Sequence, residues 1–128
     1  MNAMDSPELL KAALMARNRA YAPYSGFAVG AAVEAGSGRI YSGCNVENAA
    51  YPQGVCAETS AISAMVLAGG RKIREILVVG AKSDRLTPCG ACRQRIAEFA
   101  TPDTRIHCAG ADGSVETFTL AELLPRAF

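Results

Sequence analysis

Cys56-Ala57-Glu58-Thr59-Ser60-Ala61-Ile62-Ser63-Ala64-Met65-Val66-Leu67-Ala68 runs into Gly69-Gly70 and, after a short charged turn, into Ile76-Leu77-Val78-Val79. The first segment has helical spacing. Ala57, Ala61, Ala64 and Ala68 make a small-residue face, while Ile62, Met65 and Val66 supply bulk, and no charge follows Glu58. A helix that is apolar nearly all round is a buried helix, and the glycine pair ends it. The run at 76–79 is apolar without alternation, the pattern of a strand covered on both faces. The two segments together predict a layered α/β domain.

Working outward, Asp5 and Glu8 are placed to form a capping box, with Pro7 in the first turn of a helix. Leu10, Ala13, Leu14 and Ala20 continue it until Pro23, and Leu14 and Met15 are expected on its core side. A hairpin follows, with strands over 27–35 and 40–46 joined by Gly36-Ser37-Gly38, and then a loop over 51–54. Downstream, Thr87 is the expected N-cap and Pro88 the first residue of a helix that carries Cys92, Ile96 and Phe99 along one face. Strands over 105–109 and 115–119 join across Ala111-Asp112-Gly113-Ser114. Thr119 and Glu122 can cap a last helix ending near Pro125. The order is αββαβαββα.

Composition narrows the function. The chain has 128 residues, half of them apolar and 20% charged, an ordinary balance for one globular domain. A net charge of +1 offers no broad basic face for a phosphate backbone, so a nucleic-acid partner is not expected. No apolar run approaches the roughly 20 residues that span a bilayer, so no membrane partner is expected either. Met1–Asp5 has neither a basic start nor an apolar stretch, which argues against a secretory signal and for a cytoplasmic protein. Five cysteines is an odd number, and cysteines in a cytosolic chain are more often ligands, nucleophiles or packing residues than disulfide halves.

Cys56-Ala57-Glu58 and Pro88-Cys89-Gly90-Ala91-Cys92 carry the chemistry. Each group opens a helix. Cys89 and Cys92 lie three apart on one face of a first turn, and Cys56 comes from the other helix. Two helix N-termini aimed at one spot would bring three thiolates together and lower their pKa values. Zinc suits three soft sulfur ligands with a fourth position left to water. Glu58 is near enough to reach that water without being a ligand. Zinc at +2 with three thiolates leaves a net −1, a poor Lewis acid unless dipoles or cations withdraw charge from sulfur. A structural site with four protein ligands, or a redox pair, is the alternative; Cys44, Cys108 and His107 are the soft candidates for a fourth ligand, and none of them lies in a second paired motif, which argues against it.

Cys-Ala-Glu with Pro-Cys-x-x-Cys resembles the zinc deaminase signature, in which a glutamate shuttles protons beside the metal. Four further blocks extend the likeness: Tyr24 to Ala32, Gly43-Cys44-Asn45-Val46-Glu47-Asn48, Cys89 to Gln94, and Glu122 to Phe128. Together they resemble the small homotetrameric cytidine deaminases. That resemblance implies a single domain over 1–128, a three-layer α/β/α sandwich with a mixed five-stranded sheet. It implies one zinc ion per subunit on Cys56, Cys89 and Cys92, with Glu58 as the general acid and base. Asn45 and Glu47 would hold the ribose hydroxyls and Phe27 would flank the base. The Ala57 N–H would reach the base carbonyl, and the Thr87 carbonyl would receive the departing amino group. Phe128 would stack on the base bound by a neighbouring subunit, making the active sites shared. The implied reaction is hydrolytic deamination of free cytidine and deoxycytidine to uridine and deoxyuridine, with release of ammonia, in pyrimidine salvage.

Where many members of that family place an arginine after Cys-Ala-Glu, this chain has Thr59. A hydroxyl donates one hydrogen bond but carries no charge. Another arginine compensates, with Arg93 the candidate, or the site is more electron-rich. Cys44 and Cys108 are expected as packing thiols, His107 as a structural or surface residue, and Arg71-Lys72-Arg74 as a solvated turn. The rivals are a deaminase of a modified aminoacyl cytosine nucleoside such as blasticidin S, a polynucleotide-editing deaminase, and a zinc-stabilised binding module without turnover. Asn45 and Glu47 argue against the first, the charge and length against the second, and Glu58 against the third.

Overall fold

A computed structural model of the chain describes residues 6–82 and 85–128. Its elements are α1 (Pro7–Arg17), β1 (Val29–Ala35), β2 (Ile40–Cys44), α2 (Ala57–Leu67), β3 (Ile73–Gly80), α3 (Gly90–Phe99), β4 (Ala100–Ala109), β5 (Val115–Thr119) and α4 (Leu120–Leu123). The expected loop over 51–54 contains a 3-10 turn at Tyr51–Gln53. The five strands form one sheet in the order β2-β1-β3-β4-β5. Its β3–β4 pair is parallel and the other three pairs are antiparallel. A parallel pair needs a crossover between its strands, and α3 provides it.

Side chains alternate across the sheet as the pleat requires. Ala31, Val33, Ile76, Val78, Ile106 and Cys108 face one core with Ala57, Ala61, Met65 of α2 and Ile96 of α3. Ala32, Leu77, Val79 and Ala109 face the other, against Leu9 and Ala13 of α1. The sheet is therefore covered on both faces, the three-layer α/β/α sandwich. Along β3 only Arg74 is exposed, as expected of a fully covered strand.

Several local expectations need correction. Ser6 is the N-cap of α1, and its side chain makes no capping hydrogen bond. Asp5, the expected cap, lies outside the described residues. Met15 is 61% exposed rather than in the core, because it projects roughly 200° around the helix from the fully buried Ala13. Leu14 is partly buried against the α1-side core. The first hairpin strand begins at Val29 rather than residue 27, and the second ends at Cys44, with Val46 in isolated bridges to Tyr21 and Val55. Helix α2 is not buried all round: Ser63 is exposed and Leu67 is 91% exposed. Strand β4 starts at Ala100, but its register jumps from Ile73–Ala100 to Glu75–Arg105, so continuous pairing begins at the expected residue. Thr104 holds the jump, its hydroxyl donating to the Ile73 carbonyl at 2.6 Å and accepting from the Thr101 N–H at 2.8 Å. The Thr119–Glu122 capping box forms as expected.

Two glycines set how closely the helices approach the sheet. A Cβ at Gly30 would lie 2.0 Å from the Ala13 carbonyl oxygen of α1, and one at Gly43 would lie 2.4 Å from the Ala61 nitrogen of α2. Both obstructions are backbone, which cannot swing aside. Gly43→Ala must lift the first turns of α2 off β2, and overpacking of this kind costs about 1–3 kcal/mol. Urea unfolding should place the loss in the upper half of that range; an unchanged midpoint would mean that α2 does not rest on Gly43.

Candidate active site

The N-termini of α2 and α3 meet beyond the C-terminal end of β3. Cys56 is the N-cap residue of α2 and Cys89 that of α3, and both adopt extended backbone angles. The Cys89 sulfur accepts from the Cys92 N–H at 3.4 Å. A cysteine thus takes the capping place expected for Thr87, and the helix starts at Gly90 rather than Pro88. The Cys56 and Cys89 sulfurs are 3.9 Å apart, and all three Sγ atoms of Cys56, Cys89 and Cys92 lie within 4.8 Å of one another. Sulfurs about 2.3 Å from one tetrahedral ion lie roughly 3.8 Å apart, so the set fits zinc. Cys44, Cys108 and His107 are not in the group.

Glu58, in the first turn of α2, is 5% exposed. Burial holds its carboxyl above the ordinary range, partly opposed by a hydrogen bond from its own backbone, by one with the Cys92 thiol and, least, by the Arg95 charge. Glu58, Cys56, Ala57, Thr87, Cys89 and Asn45 line one cleft of about 170 Å³, completed by Val29 and Leu86, which the sequence reading had not singled out. Cys92 is fully buried. Asn45 accepts from the Val29 N–H at 2.8 Å and donates to the Phe27 carbonyl at 3.0 Å, which leaves one N–H and one lone pair of its amide uncommitted.

Three other expected site residues lie outside this cleft. Glu47 lines a separate hollow of about 350 Å³ with Tyr24, Ser25, Asn48, Tyr51 and Gly54. Its carboxylate accepts from the Tyr24 and Ser25 N–H groups and the Ser25 hydroxyl, and those bonds, the Ser25 hydroxyl foremost, hold its pKa below the ordinary value. The Phe27 ring packs over Gly80 at the end of β3, where the cleft-lining Leu86 also lies. The Lys82 ammonium sits 5.7 Å from the centre of that ring. Phe128 is fully exposed, and its N–H donates to Gln94 of α3 at 3.2 Å.

Charge around the thiols differs from the sequence expectation in two ways. Arg93 does not approach them: its Nε donates to the Pro88 carbonyl at 2.8 Å and its Nη1 to the Leu123 carbonyl at 2.9 Å, tying α3 to the preceding loop and to α4. Arg95 does, with Nη1 3.9 Å from the Cys92 sulfur, which Thr59 Oγ1 approaches at the same distance. The usable signal was spacing, since residues three apart share a helix face and adjacent ones do not. The expected lowering of the thiol pKa values holds for Cys89 alone, where burial is outweighed by hydrogen bonds from the Cys92 N–H and the neighbouring thiols. Burial raises Cys56 and Cys92, and the charge of Glu58 adds to both. Three thiols and a carboxylate packed this closely call for a cation.

The remaining soft side chains are structural. His107 is fully buried, with Nε2 2.8 Å from Glu75 Oε1 and Nδ1 2.8 Å from Thr117 Oγ1. The Ser6 hydroxyl donates to the other Glu75 oxygen at 3.4 Å, linking this buried chain to the start of α1. Cys108 is buried, which with the charge of Glu116 pushes its thiol up to about 12, the state of an inert packing residue. Cys44 is half-buried, its thiol 3.7 Å from the Arg19 carbonyl.

The metal assignment has a direct check. The chain should carry one zinc ion, and Cys89→Ser or Cys92→Ser should bind it more than roughly tenfold more weakly, since even outer-shell partners are worth about 10–100-fold. Competition with a chromophoric chelator reads this, and undiminished affinity in Cys92→Ser would remove that residue from the ligand set.

Residues 4–108 match the cytidine and deoxycytidylate deaminase zinc-binding region. Over 125 residues the chain is 44% identical to a cytidine deaminase of Sporosarcina psychrophila, covering 98% of this chain and 92% of that one. The crystal structure of a cytidine deaminase from Burkholderia pseudomallei superposes with a TM-score of 0.90 at 42% identity, covering 95% of this chain and 98% of that chain. The cytidine deaminase of Mycobacterium tuberculosis gives 0.85 at 37% identity and 97% coverage of both chains. With matching sequence over nearly its whole length, the same sandwich and a three-cysteine cluster able to hold the metal, the chain belongs to the cytidine deaminase family of zinc-binding hydrolases.

Proposed function

We propose that the chain deaminates free cytidine and deoxycytidine to uridine and deoxyuridine, releasing ammonia, and serves pyrimidine salvage. The observation that carries this reading is Glu58: a carboxyl held protonatable by burial, lining a cleft beside a thiol set of three. A three-ligand set leaves a fourth position, where bound zinc supplies Lewis acidity that makes water nucleophilic near neutral pH. A structural site has no use for either feature.

The chain's own residues divide the remaining work. Glu58 takes one proton from the attacking water and delivers it to N3 of the base, so that C4 becomes electrophilic and the water oxygen adds there; it then takes the second proton from that hydroxyl and passes it to the amino group, which leaves as ammonia while the C4 carbonyl forms. The Ala57 N–H, at the start of α2, donates to the base carbonyl, and the Thr87 carbonyl accepts from the leaving ammonia. The small cleft suits a pyrimidine ring, with Phe27 at its rim over Gly80. Asn45 and Glu47 lie two residues apart on one extended segment, one lining the cleft and the other the larger hollow. A ribose reaching from the first into the second would meet the uncommitted amide groups of Asn45 and the carboxylate of Glu47.

Phe128 would complete the site of a neighbouring copy in a homotetramer. Its full exposure supports that role, as does the apolar groove between α2 and α3, lined by Ile62, Val66, Leu67 and Phe99. A cytoplasmic setting agrees with five free cysteines and a site that needs reduced sulfur. No helix among the described residues is long and apolar enough to cross a membrane.

Loss of absorbance in the cytidine band should follow addition of cytidine, stop when zinc is stripped, and return with zinc. Glu58→Gln should keep its fold and metal while losing roughly 10²–10⁴ in kcat; near-normal turnover would take Glu58 out of the mechanism. Phe128→Ala should raise KM with zinc content unchanged, and sedimentation should give four times the 13.4 kDa chain mass.

A further inference from the structure

Three thiolates around a divalent cation leave a surplus of one negative charge, and an ionised Glu58 adds another. Charge held in a buried place is unfavourable unless a partner offsets it. The surplus is least tolerable on Cys92, which is fully buried, whereas Cys56 is half-buried and Cys89 exposed. Besides the other two thiols and Glu58, the side chains that approach the Cys92 sulfur are Thr59 and Arg95, each at 3.9 Å. Of these only Arg95 brings a positive charge. Among the described residues, the other cations near this end of the sheet have partners of their own. Arg93 serves two carbonyls, Arg17 donates to the Gly80 carbonyl, Lys82 lies over the Phe27 ring, and Arg85 faces Glu116 at 3.8 Å.

We propose that Arg95 is the charge-neutralising residue of the thiolate set, its guanidinium donating to the Cys92 sulfur from the outer face of α3. The inference rests on the reading that zinc lies between the three sulfurs. A cation hydrogen-bonded to a ligand sulfur draws electron density from it, so the metal keeps the acidity that three thiolates would otherwise quench. Arg95 lies three residues after Cys92, one turn along the same face. It lines the groove between α2 and α3, not the cleft that Glu58 lines, so it acts through Cys92 without touching substrate. It is a positioning residue. Thr59, which reaches the same sulfur from α2, marks a second place from which a cation would do the same work.

The experiment compares wild type, Arg95→Val, Arg95→Lys and the double variant Arg95→Val with Thr59→Arg, all at saturating metal. The cobalt-substituted proteins report the sulfur-to-metal charge-transfer band, and the zinc proteins report kcat and KM. Arg95→Val should shift the band to longer wavelength, because a more electron-rich sulfur gives up an electron more easily. Its kcat should fall roughly tenfold, the scale of an outer-shell partner, with KM within about twofold. Arg95→Lys should fall between, and the double variant should return both readouts towards wild type. An unmoved band with unchanged kcat in Arg95→Val overturns the proposal. So does a double variant that stays as impaired as Arg95→Val. Wild type that takes up neither metal overturns the metal-site reading itself, an outcome visible before any variant is made.

Discussion

Cys56 and Cys89 stand at the N-cap positions of two helices, 33 residues apart in the chain, and their sulfurs sit 3.9 Å from each other. A side chain at an N-cap has little freedom, so this separation is a statement about backbone: the starts of α2 and α3 are pinned to one spot. Much of the fold serves that end. Strand β3 is covered on both faces and delivers the chain to the spot, while the parallel β3–β4 pair makes α3 the obligatory crossover. Arg93 then fastens the start of α3 to the preceding loop and to α4. The positive ends of both helices face the sulfurs, which offsets part of the charge that gathers there.

Architecture was legible in the sequence where one local signal had no competitor. The Gly36-Ser37-Gly38 turn between β1 and β2, the unbroken apolar run of β3 and the Thr119–Glu122 box each have one physical reading, and each appears in the structure. Reading failed where two residues competed for one role. Thr87 and Pro88 make a standard helix start, yet Cys89 takes the cap because its sulfur can also accept from the Cys92 N–H. The reading of α2 as buried all round failed for a different reason: composition does not distinguish a face covered by the chain's own sheet from one left open, as at Leu67.

The cysteine and glutamate cluster was visible because its members open helices, so spacing alone brings them together. The charge around it was not: Arg93 follows Cys92 directly in the chain yet serves the Pro88 and Leu123 carbonyls, while Arg95, a turn further on, reaches the Cys92 sulfur. The exclusion of His107 as a fourth ligand was within reach of the sequence. Along a strand, neighbours point to opposite faces. Cys108 and His107 therefore cannot both face the helices that carry the thiols, and His107 joins Glu75 and Thr117 on the α1 side of the sheet.

Gly30 and Gly43 hold a further consequence. Gly30 pairs with Cys44 and Gly43 with Ala31, so the two glycines are diagonal neighbours on adjacent strands, one open to each face. Helix α1 presses on the sheet from one side almost opposite the point where α2 presses from the other. There both helices rest directly on the strand backbone, with only a single layer of strands between them. Such a junction transmits displacement instead of absorbing it. The height at which Cys56 and Glu58 stand above the sheet is thus set in part by Ala13 and Arg17, from the far side of a wall that the substrate never meets.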